Sequence, residues 1–409
     1  MAKKLHYGWL VCLGCALLLF CTSGLTVNAF TVYQPYLIER CGLTNTQSSM
    51  IVTVRSLTAF LGMLVTGVYF KKFSLRNGMG LAGLFIVLGF ALFGVAREYA
   101  LLLGAAVLTG IGYGLGTMIP IAIVLEHWFV RKRTLAVGIC SAATGLSTLG
   151  IPNLITLVVE RCGLRTAFLG EAVVIAVLCA ASRLLIRDWP ADRGLQPFGA
   201  EAGEEQDAAE PIGGGRGLGK AEWALLVPLF LLLGGMTSVA YSHLGVMAVQ
   251  AGFDAHTTAA AIMVSGLALM GGKFLYGALS GRMTAEKSNL LFGAMATAGL
   301  LLCCCTGGRV WALMAAMLLY GSGLALTTVG LTVWAADLSR VGEYDTLIRR
   351  FQILYSAGTL VFSPLPGLLA DRFDGSYTPA YLFFTVSTVL LVAGIQFIYH
   401  RAGPEAKTK

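Results

Sequence analysis

DWPADRGLQPFGAEAGEEQDAAEPIGGGRGLGKA, residues 188–221, is unlike the rest of the chain. It carries Glu201, Glu204, Glu205, Asp207 and Glu210, then the glycine run Gly213 to Gly215. It has almost no large apolar residue between Phe198 and Leu218. Such a stretch cannot bury enough apolar surface to fold on itself and reads as a polar, flexible linker. On both sides the sequence turns apolar, so the question becomes how many membrane spans flank it.

A transmembrane helix needs about 20 mostly apolar residues. Before the linker, such runs lie at 8–37, 45–70, 78–96, 99–126, 134–159 and 166–187; after it, at 222–250, 256–280, 287–306, 309–336, 346–370 and 378–399. Six and six predict an all-α membrane protein of twelve transmembrane helices in two six-helix bundles, 1–187 and 222–409, joined by 188–221. Composition agrees. Charged residues are 12% of the 409 and mean hydropathy is +0.76, against about 25% charged in a soluble domain. The run after Lys3 and Lys4, Gly8 to Phe30, exceeds a signal-peptide core and meets no small-x-small cleavage site, so it reads as an uncleaved first span.

Lysine and arginine set the orientation. With the N-terminus inside, the inner segments hold 21 of the 29 basic residues, the outer loops hold six (Arg40, Arg97, Arg161, Arg165, Arg309, Arg372), and Arg55 and Lys273 fall within spans. This predicts a multi-pass protein of the cell (inner) membrane with both termini cytoplasmic. The net charge of +8 therefore reads as topology; no basic groove with interleaved aromatics points to nucleic acid. Trp9 and Trp128, near span ends, read as interface anchors.

The halves echo each other. Thr134-Leu135 leads to Gly145, Pro152 and Glu160-Arg161; Thr346-Leu347 leads to Gly358, Pro364 and Asp371-Arg372. Gly67 closes the second span as Gly277 closes the eighth, and Glu126 ends the fourth as Asp337 ends the tenth. Transporters are often built from such repeats, with the site between them at mid-membrane. Most of the ten cysteines sit inside apolar runs, where cysteine acts as a small hydrophobe. Cys41 and Cys162, each in Glu-Arg-Cys-Gly-Leu, fit either a disulfide in an oxidising outer compartment or two unpaired thiols. No Walker loop, metal cluster or catalytic triad stands out, so the expectation is no cofactor, no metal, no enzyme activity and no ATP drive.

At Gly110-Ile-Gly112-Tyr-Gly114-Leu-Gly116 and Pro120, then Trp128-Phe129-Val130-Arg131-Lys132-Arg133, Leu135-Ala136 and Gly138, the chain resembles the major facilitator superfamily, in its monocarboxylate-porter branch and the related oxalate/formate exchangers. Tyr7-Gly8-Trp9 resembles the same branch, as does Gly367-Leu-Leu-Ala-Asp371-Arg-Phe-Asp-Gly375-Ser-Tyr377. The resemblance implies the major facilitator fold, a monomer, and alternating access to a central site. Independently of it, the glycines at 110–116 strip side chains from one helix so that a neighbour can approach closely.

Departures accompany the likeness. The superfamily's Gly-x-x-x-Asp-Arg-x-Gly is here Gly67-Val-Tyr-Phe-Lys71-Lys72-Phe-Ser74, and the matching later loop reads Gly277-Ala-Leu-Ser-Gly281-Arg282. Gating charges must then pair differently: Glu126 with Lys71 or Lys72 and Asp337 with Arg282, closing the cytoplasmic side in the outward-open state. The alternative is independent solvated charges.

A cation inside a bilayer marks function by default. Lys273, in the eighth span, stands where the resembling families carry an arginine taken to bind the substrate carboxylate; the alternative is a lysine snorkelling to the interface. Arg55 lies about ten residues from either end of its span, with Ala59, Gly62 and Thr66 on its face. It reads either as a second anion contact or gating charge, or as a structural group. The porter's first-span lysine aligns with Asn28, its eighth-span acid with Leu269, and the exchanger's eleventh-span lysine with Tyr355. Tyr33, Tyr113, Tyr241, His243 and Trp334 complete the candidates. Glu171 is the acid nearest mid-span. Two buried cations without matching acids favour an anion. The expectation is a secondary transporter of a small mono- or dicarboxylate, by proton symport or anion exchange. The rivals are an exporter of drugs or amphipathic compounds and a non-transporting membrane sensor.

Overall fold

The computed structural model describes residues 6–200, 217–340 and 343–402. Lys3, Lys4, Glu201, Glu204, Glu205, Asp207, Glu210, the glycines 213–215, Arg216, Lys407 and Lys409 lie outside the described residues. Eleven helices among the described residues are long and apolar enough to cross a bilayer: α1 Gly8–Cys41, α2 Asn45–Lys72, α3 Leu75–Val95, α4 Tyr99–Trp128, α5 Leu135–Cys162, α6 Leu164–Leu185, α7 Lys220–Ser242, α8 Ala255–Ser280, α9 Ala285–Cys304, α11 Thr346–Arg372 and α12 Thr378–Arg401. The twelfth, α10, occupies 310–338 in pieces. Val310–Gly323 has 14 residues, about 21 Å at 1.5 Å each, short of a roughly 30 Å hydrocarbon core. A π-helical turn, Leu326–Gly330, and a last helix, Leu331–Leu338, carry it onward. The protein is a multi-pass, all-α membrane protein.

By internal contacts the chain divides into two compact units: Met1–Leu43 with Met50–Asp207, and Thr44–Ser49 with Ala208–Lys409. The first turn of α2 thus groups with the second unit.

In the first unit the alternating glycines of α4 serve two neighbours. A Cβ on Gly110 would run into Arg55 O and Thr58 Oγ1, and one on Gly114 into Ala59 O, so this face lies against α2. A Cβ on Gly112 would fall 2.6 Å from Ala82 O, so the opposite face lies against α3. Backbone-to-backbone approach of this kind is what small residues permit in lipid, where no hydrophobic force drives helices together. The core is aromatic: Phe30, Phe90, Phe93 and Phe168 meet around Tyr33, which stacks on Phe168 at 4.0 Å.

In the second unit Gly234 of α7 packs under Tyr355 O of α11, and Gly358 under Leu231 O. Asn289 of α9 ties its neighbours together, its Oδ1 accepting from Tyr276 Oη at 2.6 Å and from Trp334 Nε1 at 2.8 Å.

The two sequences break their helices at matching places. α1 is π-helical over Phe20–Asn28 and 3-10 over Ala29–Val32; α7 is π-helical over Gly235–Val239. α4 is interrupted at Gly116-Thr117, where α10 has its π turn. α5 restarts at Ile151 after Gly150 (φ 79°), and α11 restarts at Leu365 after Pro364. Each pair is six spans apart, the mark of an internal repeat, and π turns inside α-helices gather at functional sites.

Two expectations change. The segment 188–200 is not loose. Phe198 N–H donates to Trp128 O at 2.8 Å, Val130 and Arg131 N–H donate to Phe198 O at 3.1 Å, and Trp189 stacks on His127 at 3.6 Å. Phe198 supplies an apolar anchor among His6, Trp9 and Phe129, which an average over the acidic stretch conceals. Trp128 is not an interface anchor: it is fully buried, its indole donating to Arg187 O at 2.8 Å. Cys41 and Cys162 are both free thiols.

Candidate functional site

Arg55 is 4% exposed, ten residues into α2. Its Nη1 donates to Thr26 O at 2.7 Å, and its guanidinium lies 4.8 Å from the ring centre of Phe30. Both partners come from the irregular part of α1. Helix pitch explains the carbonyl: where α1 is π-helical, carbonyls slip out of the i→i+4 ladder and one is free to accept from elsewhere. A guanidinium has five N–H donors, and no carboxylate pairs with this one among the described residues. The two contacts, one carbonyl and one π face, leave most of its donors without a carboxylate partner among the described residues.

Of the other candidates of this unit, Asn28 and Tyr33 lie on α1, without sharing one role. Asn28 donates its amide to Thr144 O of α5 at 3.1 Å. Tyr33 is fully buried and its hydroxyl donates to Glu171 Oε2 of α6 at 2.6 Å. Tyr113 is half-buried on α4, between Gly112, which packs on α3, and Gly114, which packs on α2. Glu171 Oε1 is buried with no hydrogen-bond partner, and so are both amide atoms of Gln34. Sequence reasoning passed over Gln34 because a glutamine in an apolar run carries no charge to draw attention.

In the second unit Lys273 is half-buried on α8 and meets neither a carboxylate nor a carbonyl among the described residues. Its neighbour Gly272 presses on Ser322 O of α10 at 2.6 Å from where a Cβ would stand, so the lysine rides on a helix pair fixed at that point. Tyr241 is buried with its hydroxyl unpaired, and Tyr355 is half-buried beside the π turn of α7. Tyr320 donates to both Met236 O and Thr237 O at 3.0 Å, taking up carbonyls that this turn frees. His243 is fully buried: Nδ1 meets Val239 O at 2.9 Å and Nε2 meets Ser49 Oγ at 2.9 Å. Trp334 belongs to the Asn289 knot.

Lys71, Lys72 and Arg282 are exposed and without an ion-pair partner among the described residues. Asp337 accepts from Tyr399 Oη at 2.8 Å rather than from Arg282. Glu126 is exposed at the end of α4.

The family model whose description reads Major Facilitator Superfamily matches residues 15–308. Monocarboxylate transporter 12 of Rattus norvegicus is 25% identical across 92% of this chain and 82% of its own length. Human monocarboxylate transporter 11 is 26% identical across 80% of this chain and 69% of its own. Among solved structures, the partially occluded inward open conformation of the xylose transporter XylE from E. coli aligns with a TM-score of 0.76 over 99% of this chain and 100% of that one, at 13% identity. At that identity the likeness concerns the fold alone.

Proposed function

The chain belongs to the Major Facilitator Superfamily, and from that premise we propose that it is a secondary transporter of a small organic anion, a mono- or dicarboxylate. The observation that carries this reading is Arg55, a buried guanidinium with one carbonyl contact and no carboxylate partner among the described residues. Leaving such a charge unpaired costs several kcal/mol, a cost that a carboxylate cargo offsets on arrival. Lys273, which meets neither a carboxylate nor a carbonyl among the described residues, supports an anion contact in the second unit. The names of the relatives, monocarboxylate transporters 11 and 12, point to the same cargo class. Alternating access, with proton symport or anion exchange, is the mechanism proposed. The split of 21 inner to six outer basic residues supports both termini in the cytoplasm. A mostly apolar drug cavity is disfavoured by two cations, and a silent sensor by the matched helix breaks, which suit a moving carrier.

Uptake of labelled lactate, pyruvate, formate, oxalate, malonate and succinate into proteoliposomes tests this. Wild type is run beside Arg55→Gln and Lys273→Gln, with and without a proton gradient, and with preloaded counter-substrate. Uptake of at least one carboxylate that both variants lose supports the reading. No carboxylate uptake, or full activity in both variants, overturns it.

A further inference from the structure

Three partners in the first unit hang on one stretch of α1. Arg55 holds Thr26 O and the face of Phe30; Glu171 holds the hydroxyl of Tyr33. The stretch between is π-helical to Asn28 and 3-10 from Ala29 to Val32. Backbone of this kind can change pitch at small cost, because its hydrogen bonds are already off the α-helical ladder. Whatever moves Thr26 and Phe30 therefore moves Tyr33.

Glu171 is an unusual acid. It sits seven residues into α6, 9% exposed, with Oε2 on a phenol at 2.6 Å and Oε1 buried without a partner. Among the described residues no cation pairs with it. From α1 it faces Tyr33 and the Cys21 thiol; from α3, the rings of Phe90 and Phe93 through Phe168. Cys179 lies two turns further along α6, and the charged groups Glu160, Arg161 and Arg165 are exposed near the α5–α6 corner. A carboxylate here keeps one neutral donor and one orphaned oxygen in a medium that penalises bare charge. A neutral carboxylic acid accepts the phenol and leaves no charge to solvate.

We propose that Glu171 is the proton-carrying group of the transport cycle, read out through Tyr33 and the irregular stretch of α1 at Arg55. This deepens the anion-carrier reading and rests on it. The balance is one for one. Water delivers a proton to Glu171, which becomes a neutral acid, and Arg55 takes one carboxylate. The anion draws guanidinium donors from Thr26 O and the ring of Phe30, the stretch shifts, and Tyr33 loosens from Glu171. On the far side the carboxylate leaves Arg55 and the proton leaves Glu171 to water, so that each group returns to its starting charge. No oxidant or further reactant is involved, and the net movement is one proton with one monocarboxylate.

Two measurements test this. In proteoliposomes, Glu171→Gln is expected to lose accumulation driven by a proton gradient while still exchanging labelled for unlabelled carboxylate, which shows that it is folded. For wild type, KM falls by up to about tenfold per pH unit of acidification, the limit for one linked proton; for Glu171→Gln it is flat, and Tyr33→Phe keeps the dependence with its midpoint displaced. Gradient-driven accumulation by Glu171→Gln equal to wild type overturns the inference and leaves the anion carrier standing. The second measurement needs no cargo: infrared difference spectra between neutral and alkaline pH on purified protein in lipid. The carbonyl stretch of a protonated carboxyl is expected in wild type and missing in Glu171→Gln. Its presence in a wild type that moves no carboxylate overturns the anion reading and keeps the proton site; its absence from wild type at neutral pH overturns the proton site.

Discussion

Asp371 caps Asn45. The aspartate, one residue before the end of α11, accepts from Asn45 N–H and Asn45 Nδ2 at 3.0 Å with one oxygen and from Thr46 N–H at 2.8 Å with the other. The first N–H groups of any helix lack intrahelical partners, and those of α2 find theirs here, 326 residues away in sequence. Tyr377 closes the ring, donating to Asn45 Oδ1 at 3.2 Å. Gly367 makes room, since a Cβ there would run into Asn45 O and Ser49 Oγ. His243 adds the bond to Ser49. These contacts are why Thr44–Ser49 groups with the second unit. Gly367, Asp371 and Tyr377 all come from the string that carried the family likeness after the eleventh span.

Removing that cap is expected to loosen the turn it holds. Asp371→Ala deletes three charge-assisted hydrogen bonds, a kind that contributes about 1.5–3 kcal/mol net when shielded and less at an exposed helix end such as this. Amide exchange of the peptide covering residues 44–50 is expected to speed up about tenfold or more, as a loss of at least 1.4 kcal/mol requires. Exchange should stay unchanged in peptides from α9, which has no part in the contact. A wild-type rate at 44–50 would show that Asp371 contributes nothing to holding the turn.

At Arg55 the chemistry of the head group separates anion binding from mere charge. Lysine keeps the charge but not the planar fork that meets a carboxylate with two parallel bonds. Arg55→Lys is expected to raise KM for the carboxylate about tenfold, a loss of roughly 1.4 kcal/mol, with a smaller effect on maximal rate. Initial-rate uptake against concentration measures it. Equal KM in the two proteins would make Arg55 a structural group attached to Thr26 and Phe30.

Much of this architecture is legible in the sequence because lipid allows few solutions: runs without charge must be helices, and a polar, glycine-rich break must be a connection. Arg55 stands out for the same reason, an arginine ten residues from one end of its span and 17 from the other, though the sequence alone leaves a structural role beside an anion contact. The partners are not legible. Tyr33 and Glu171 are 138 residues apart, and no local pattern marks a tyrosine as an acid's donor. Glu171 stood out only as the nearest acid to mid-span. The π-helical stretches are equally hidden: Phe20–Asn28 and Gly235–Val239 are rich in Thr, Ser and Gly, but that composition does not by itself specify a π pitch. Asn45 and Asp371 lie at span ends, where polar residues are expected, so their pairing carried no sequence signal.

Glycines that look alike in sequence are expected to behave oppositely. Gly114 faces the backbone of α2, so Gly114→Ala forces Cβ into Ala59 O, and neither helix backbone can yield cheaply. Overpacking of this kind costs about 1–3 kcal/mol. Gly138 on α5 meets nothing within 4 Å, so Gly138→Ala introduces no clash and gains up to about 1 kcal/mol of helix propensity. Thermal unfolding of the detergent-purified protein is the check. Gly114→Ala should melt several degrees lower, and Gly138→Ala at or above wild type. The same drop for both would mean that helix packing in α4 is looser than this contact requires.

The docked start of the interdomain segment gives the last prediction. Phe198 is held by a short parallel exchange of backbone bonds with Trp128 and Val130 and by edge contacts to His6 at 5.5 Å and to Trp9 at 5.9 Å. Ring pairs of this kind contribute about 0.5–1.5 kcal/mol each beyond area. The backbone bonds alone, at roughly 1 kcal/mol apiece net, do not hold an exposed strand in water. Phe198→Ala is therefore expected to release 188–200 from α4, while Trp189 keeps its stack on His127 and slows complete detachment. Limited trypsin digestion reads this out at Arg193, an exposed residue whose guanidinium lies 4.7 Å over the ring of Tyr7. Cleavage after Arg193 should be about tenfold faster in Phe198→Ala, and faster again when Trp189→Ala is added. An unchanged rate in the double variant would mean that the backbone pairing and the Arg193–Tyr7 contact hold the segment without either ring.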